Sequence, residues 1–399
     1  MKKAVGLTAA LIVAIFLIIY KNHKAYISND LIKDSITKNY FSQGPKKNGF
    51  LFIKGKKLEY ELTLNEELQN YILKILKRFR TPYSAVVVID NETSKILALA
   101  GYSHKFKNKY DELTLSSTNP GASLFKIITS AALLETGKVG GNDPVFYNGK
   151  GTTLYKSQLK NKKNRWTRKI NLKRAFAYSN NVVFGKLSQR YLTPKSLLSM
   201  AERFKFNSGI LNVIQSPISK YSLATSDYQV AEFGSGFNKI NTISPLHAAY
   251  LSSVVANAGV RKNLSLINSI AIDDEKINLI RRKLVDQNNY KIYSNKTATE
   301  LKSFMLETVR RGTARGVGQI LRKSLKKKLS IGAKTGSITG GFPEGKREWV
   351  TAFATPKDER KGKGISIAVV NILNKKWYVR SSYIAKKVIE YYFSKIDKI

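Results

Sequence analysis

The chain has 399 residues, 43% of them hydrophobic, enough for one large core or two moderate ones and against extensive disorder. Cysteine is absent, which removes disulfides, thiolate metal sites and a cysteine nucleophile, and none of the three histidines, His23, His104 and His247, is placed to join a metal cluster. The 69 basic residues, 52 of them lysine, outweigh 27 acidic ones to give a formal charge of +42, a field that attracts polyanions.

After Met1-Lys2-Lys3, the run Ala4 to Tyr20 carries no charge and as a helix would span about 25 Å, the short end of a membrane crossing. Lys21 to Ile27 offers no small-x-small cleavage pattern, so residues 1–23 are expected to form an uncleaved membrane anchor. Residues 24–80 are expected to be a short basic linker or pedestal segment, ending in an amphipathic helix capped near Thr63 or Asn65. Ser84 to Asp90 and Lys95 to Gly101 flank Asn91-Glu-Thr-Ser94, a strand-turn-strand pattern that predicts a hairpin.

Asn119-Pro-Gly-Ala-Ser123-Leu-Phe-Lys126 leads into helix formers up to Glu135, with Gly137 at the expected stop. Ser123 is thereby placed in a first helical turn, where the Lys126 amine shares its face. A hydroxyl nucleophile and an amine base one turn apart form a chemically sensible pair, provided that the lysine is neutral for part of the time. The spacing alone is weak, because Ser35/Lys38, Ser157/Lys160 and Ser324/Lys327 repeat it.

Helical periodicity surrounds Ser179-Asn180-Asn181 within residues 171–187. Gly234-Ser-Gly236 precedes a helix with Ser244 as cap, Pro245 in the first turn and Gly259 as stop. His247 falls on that helix and reads as a histidine packed at a core edge. Ser330 to Gly336, Trp349 to Thr355 and Ile365 to Leu373 read as strands, and Ser382 to Ile396 as a closing helix. Two basic clusters, Lys160 to Arg174 around Trp166 and Arg322 to Lys328, read as surface loops or helix flanks. No nucleic-acid module accompanies the scattered lysines, so nucleic acid is not an expected partner.

Three motifs stand in order: Ser123-x-x-Lys126, Ser179-x-Asn181 and Lys334-Thr335-Gly336. Ser-x-Asn recurs at Ser117, but Lys-Thr-Gly occurs once. The ordered set resembles the signature of penicillin-binding proteins and serine β-lactamases. The resemblance extends to Leu62-Thr63 with Leu68-Gln69 before the hairpin, to the Gly234–Gly259 stretch, and to Arg311-Gly-Thr-Ala314, and it covers about residues 60–399.

It implies an α+β fold: an antiparallel sheet covered by helices at one face, a mostly helical subdomain between residues 123 and 320, and one transpeptidase domain over 81–399, preceded by the transmembrane helix. It implies catalytic roles for Ser123 (nucleophile), Lys126 (base), Ser179 (proton relay to the leaving amine), Asn181 (holding Lys126 and the substrate amide) and Lys334. Lys334 and Thr335 would grip a terminal carboxylate, Gly336 would let the substrate backbone approach, and the N–H groups of Ser123 and Ser337 would form an oxyanion hole.

The implied activity is that of a D,D-transpeptidase anchored in the cytoplasmic membrane with its catalytic domain outside. Its partners would be peptidoglycan stem peptides, β-lactams, membrane lipid and a separate glycosyltransferase, with neither cofactor nor metal. Readings that share the acylation step are a D,D-carboxypeptidase, a class D-like β-lactamase, and a non-catalytic penicillin-binding sensor or scaffold.

Overall fold

The computed structural model describes residues 27–398 apart from 287, 319–322, 375 and 377. The expected anchor, residues 1–23, lies outside the described residues, among which no helix is long and apolar enough to cross a membrane.

The described chain begins with helix α1 (Asn29–Gln43), started by Ser28, whose hydroxyl accepts from the Leu31 N–H. Strands β1 (Asn48–Ile53) and β2 (Lys56–Leu62) follow as a hairpin around Lys54-Gly55, both at positive φ as a tight hairpin turn requires. Helix α2 (Glu66–Phe79) starts at Asn65, whose side chain accepts from the Leu68 N–H at 2.9 Å. The predicted hairpin is β3 (Tyr83–Asp90) and β4 (Ile96–Ser103).

The helical part holds α3 (Lys126–Glu135), α4 (Leu172–Ala177), α5 (Asn181–Tyr191), α6 (Pro194–Arg203) and α7 (Asp227–Ser235). Every residue from Lys126 to Leu134 is buried, so α3 is the axis about which the others pack. Helix α8 (Pro245–Ala256) has the expected Ser244 cap, and β5 (Ile267–Ile272) and α9 (Asn295–Arg310) follow. Strands β6 (Leu329–Thr339), β7 (Lys346–Pro356) and β8 (Ile365–Leu373) and helix α10 (Ser381–Tyr391) complete the domain.

An all-antiparallel sheet runs β6-β7-β8-β3-β4, with Asn108–Lys109 as a short last strand, so β6, which carries Lys334-Thr335-Gly336, occupies an edge. Helices cover both faces of this sheet, where a single covered face was expected. Val86, Val88, Ile367 and Val369 meet Leu68, Ile72, Ile384 and Val388 of α2 and α10. Val87, Ile89, Ala368 and Val370 belong to the core that includes α8 and α9. The reason lies in β3 and β8, which are apolar without alternation, and such runs are stable only when both faces are dry.

The segment expected to be a linker is folded. β1 and β2 join β5 and Glu275–Lys276 in a second, four-stranded sheet, and Ile32, Ile36 and Tyr40 of α1 enter the same core as the helical part.

Candidate active site

Ser123 lies on a 3-10 turn, Ala122–Phe125, and the α-helix begins only at Lys126. This differs from the expected single helix, because Ala122 sits at φ +49, a left-handed conformation that an alanine adopts only when its surroundings impose it. Gly236 is part of that imposition. A Cβ there would stand 2.1 Å from the Ala122 carbonyl oxygen, so only glycine lets the two backbones meet. From behind, the Trp349 indole N–H donates to the Pro120 carbonyl at 3.1 Å and Arg347 Nε donates to Asn119 Oδ1 at 3.1 Å.

The second motif sits between α4 and α5. Ser179 is left-handed at φ +57, and Asn180 caps α5 through the Val183 N–H. Asn181 Nδ2 donates to the Thr152 carbonyl at 3.0 Å, which turns its Oδ1 towards Lys126.

Lys126 Nζ is fully buried, 3.0 Å from Ser123 Oγ, 2.7 Å from Asn181 Oδ1 and 2.5 Å from the Ser235 carbonyl oxygen. The amide oxygen and the carbonyl can only accept. A neutral amine has two N–H donors, which these two acceptors use, so its lone pair is left for the Ser123 hydroxyl proton. Burial, and then the nearby charge of Lys334, hold Lys126 well below the ordinary lysine range.

Lys334 Nζ is equally buried, 3.0 Å from Ser179 Oγ and 2.8 Å from the Thr335 carbonyl, and burial lowers its pKa to about 7. Each amine also lies over a phenylalanine ring, Lys126 over Phe184 and Lys334 over Phe176, both at 5.4 Å.

Above them opens a cleft of about 810 Å³ whose lining includes Ser123, Ser179, Asn181, Thr335, Gly336 and Ser337. The hydroxyls face the cleft while the two amines lie beneath them. Lys334 reaches Ser179 from below, and Thr335 lines the cleft itself. A Cβ on Gly336 would lie 3.3 Å from Gly121 O and 3.4 Å from Ser123 N, so the bare strand lets the Ser123 loop approach. The Ser123 backbone nitrogen thus lies against the strand that carries Ser337, and both residues line the same cleft.

Sequence reasoning left out several groups. Gly234-Ser-Gly236 belongs to the stretch that carries the resemblance, yet nothing in it marks the Ser235 carbonyl as a partner of Lys126. Thr313, whose hydroxyl touches that of Thr335, fell within the noted Arg311–Ala314 turn without a role. Arg347, Trp349 and the two phenylalanines carried no motif. Ser157 and Ser324 of the competing Ser-x-x-Lys pairs are exposed, and Ser35 lies on α1. His247 is deep in the core, with Nε2 2.8 Å from the Phe204 carbonyl and its ring 4.2 Å from Phe206. Burial lowers its pKa to about 4, so it is a neutral packing residue.

A family profile described as the penicillin binding protein transpeptidase domain matches residues 84–390. A penicillin-binding protein 1A from Neisseria lactamica is 25% identical over 276 residues, which are 67% of this chain and 30% of that protein. The chain thus matches less than a third of that relative's length. Among solved structures, an imipenem acyl-enzyme of penicillin-binding protein A from Mycobacterium tuberculosis superposes with a TM-score of 0.61 at 21% identity, covering 83% of this chain and 79% of that one. The D,D-transpeptidase domain of a peptidoglycan glycosyltransferase from Eggerthella lenta gives 0.65 at 21% identity, covering 90% and 86%. At these identities the structural likeness establishes the α+β fold.

Proposed function

The chain belongs to the penicillin-binding protein transpeptidase domain family, and from that premise we propose that it is a D,D-transpeptidase that cross-links peptidoglycan stem peptides through an acyl-enzyme at Ser123. The observation that carries this reading is the Lys126 amine, whose acceptors leave its lone pair for the Ser123 hydroxyl.

In the first step, Lys126 takes the Ser123 proton while Oγ attacks the carbonyl carbon of the penultimate D-alanine. The Ser123 and Ser337 N–H groups hold the oxyanion, each such donor being worth about 3 kcal/mol. Collapse breaks the C–N bond. The departing D-alanine amine receives a proton through Ser179, which Lys334 supports from below. An acceptor amine then attacks the ester, and Ser123 regains its proton. The terminal carboxylate of the donor peptide lies against Thr335 on the free edge of the sheet.

A β-lactam presents the same carboxylate and a strained amide, so it acylates the same oxygen. Residues 1–23 serve as the membrane anchor and the remainder lies outside the cytoplasm, where the substrate is. Resistance of the full chain to carbonate extraction, together with cleavage by external protease, tests that topology, and a freely soluble cytoplasmic product overturns it.

The enzymatic test uses labelled penicillin on the detergent-solubilised full chain. We expect one adduct, on Ser123, that persists for many minutes and is relieved faster by an added D-amino acid. Ser123→Ala should abolish labelling, and Lys126→Ala should lower its rate by about 10²–10⁴-fold, the usual contribution of a positioned base. Label on another serine would overturn the assignment. Rapid penicillin turnover raised by bicarbonate would replace the transpeptidase by a class D-like β-lactamase.

A further inference from the structure

A second cleft, of about 780 Å³, lies at the other end of the helix that carries Asn181. Its lining includes Lys138, Lys162, Lys163, Lys186 and Arg190 around the ring of Phe146, with Asp143 as the acidic member. Asp143 is engaged, accepting from the Gly140 N–H at 2.7 Å. None of the five cations forms an ion pair with a described acidic residue.

The cleft is structurally defined. Lys186 Nζ donates to the Phe146 carbonyl at 3.0 Å, Lys163 lies 4.5 Å over the Phe146 ring, and Asn148 fixes the flanking loop through Lys162 O and Thr167 Oγ1, both at 2.7 Å. Partial burial and the facing Arg190 hold Lys186 below its ordinary range. Like charges gathered in one concavity raise their mutual energy, and a multivalent anion lowers it.

We propose that this cleft binds a linear phosphate-bearing polyanion and so docks the enzyme on an anionic polymer beside its substrate. Lysine binds phosphate as a point charge without demanding a fixed fork, which suits a flexible chain of repeated phosphates. A polycarboxylate would be better met by arginine forks, and here one of the five cations is arginine. Nucleic acid asks for open aromatic faces on which bases stack. The Phe146 ring carries Lys163 on one face, and Trp166, though exposed, lies outside the cleft's lining, so the cleft offers no row of rings. Lys186 and Arg190 follow Asn181 by one to three turns of α5, so the polymer would run close to the acylation cleft without entering it.

Polyphosphate binding at this cleft does not depend on the acyl-transfer reading and is tested by binding alone; only the placement beside a substrate rests on that reading. The probe is fluorescent inorganic polyphosphate titrated against the full chain in detergent at about 0.15 M salt. The triple variant Lys163→Gln, Lys186→Gln, Arg190→Gln should bind about tenfold more weakly, and its log–log salt dependence should flatten by about two, taking the single-strand counterion value. A control triple, Lys74→Gln, Lys77→Gln, Lys361→Gln, removes the same charge from exposed positions elsewhere and should stay within about twofold of the parent.

Equal loss in both triples would reduce the effect to bulk charge. No loss in either, or binding of poly-glutamate or single-stranded DNA as tight as that of polyphosphate, would also overturn the proposal. A measurement on the unmodified protein guards against misfolding of the variant. Polyphosphate should protect Lys138, Lys162, Lys163 and Lys186 from amine acetylation while Lys74 and Lys77 stay reactive, and uniform protection or none refutes the site.

Discussion

Burying a primary amine against hydroxyls and carbonyls, with no carboxylate to neutralise it, makes its charged form expensive, and Lys126 and Lys334 are both held in this way. The sequence motif marked both residues but not their burial, because the phenylalanines that desolvate them come from α4 and α5, distant along the chain. For Lys334 that expense makes stability depend on pH. Its folded pKa is about 7 against an ordinary 10.5. Between those values the unfolded chain binds the extra proton, so stability rises with pH across that window, and the penalty is complete below pH 7. At its largest it is about 5 kcal/mol. Lys334→Met removes the penalty but leaves the Ser179 hydroxyl and Thr335 carbonyl short of a partner, a loss of about 3 kcal/mol together. The variant should therefore be about 1 kcal/mol more stable than the parent at pH 7 and less stable near pH 10, while losing penicillin acylation. Urea unfolding at both pH values checks this, and a gain of the same size at each would show that titration is not its source.

Among the elements, those set by local signals were legible: the Asn65 and Ser244 caps, the Ser84–Gly101 hairpin, the three C-terminal strands and the closing helix. Two were not. The 3-10 turn at Ser123 looks like helix in sequence, and it is held by residues distant along the chain, Gly236, Gly336, Trp349 and Arg347. The break between α4 and α5 falls inside a continuous helical periodicity and is implied only by the family resemblance, in which the motif sits between helices; there Ser179 turns left-handed and Asn180 restarts the helix. The two glycines predict different outcomes. Gly336→Ala places a methyl 3.3–3.4 Å from Gly121 O and Ser123 N in an allowed backbone, so the loop must yield by a few tenths of an ångström. Acylation should slow by about 10- to 100-fold, as small misplacements of a reacting group do, with little change in unfolding midpoint. Gly236→Ala combines φ +69 with a 2.1 Å backbone clash and should lower the midpoint markedly as well. Penicillin acylation rates and thermal unfolding on the two proteins separate these effects, and equal destabilisation would refute the distinction.

At the scale of the molecule, the segment before residue 63 looked like a linker because it is short, basic and followed by a recognisable domain. Its role is visible only through a partner more than two hundred residues away: β2 pairs with β5 from Leu62↔Ile267 to Leu58↔Ile272. No local pattern announces such a pairing. The burial that goes with it is large, since Ile32, Ile36, Tyr40, Leu58, Tyr60 and Leu62 are each at most 5% exposed. At about 1.5–3 kcal/mol per side chain this is on the order of 10 kcal/mol, comparable to the whole stability of an ordinary domain. Arg282 adds a clasp at the start of α1, donating to Ile27 O and accepting from Asn29 at its own carbonyl. A chain beginning at residue 63 would retain all three motifs, yet it would expose that core and leave β5 an unpaired edge beside apolar residues, a template for aggregation. We therefore expect residues 27–399 to give a monomer that labels stoichiometrically with penicillin, and residues 63–399 to aggregate or to label a minor fraction. Size-exclusion chromatography with penicillin titration decides between them. A soluble, cooperatively unfolding 63–399 protein with full labelling would mean that the N-terminal sheet decorates the transpeptidase unit instead of completing its core.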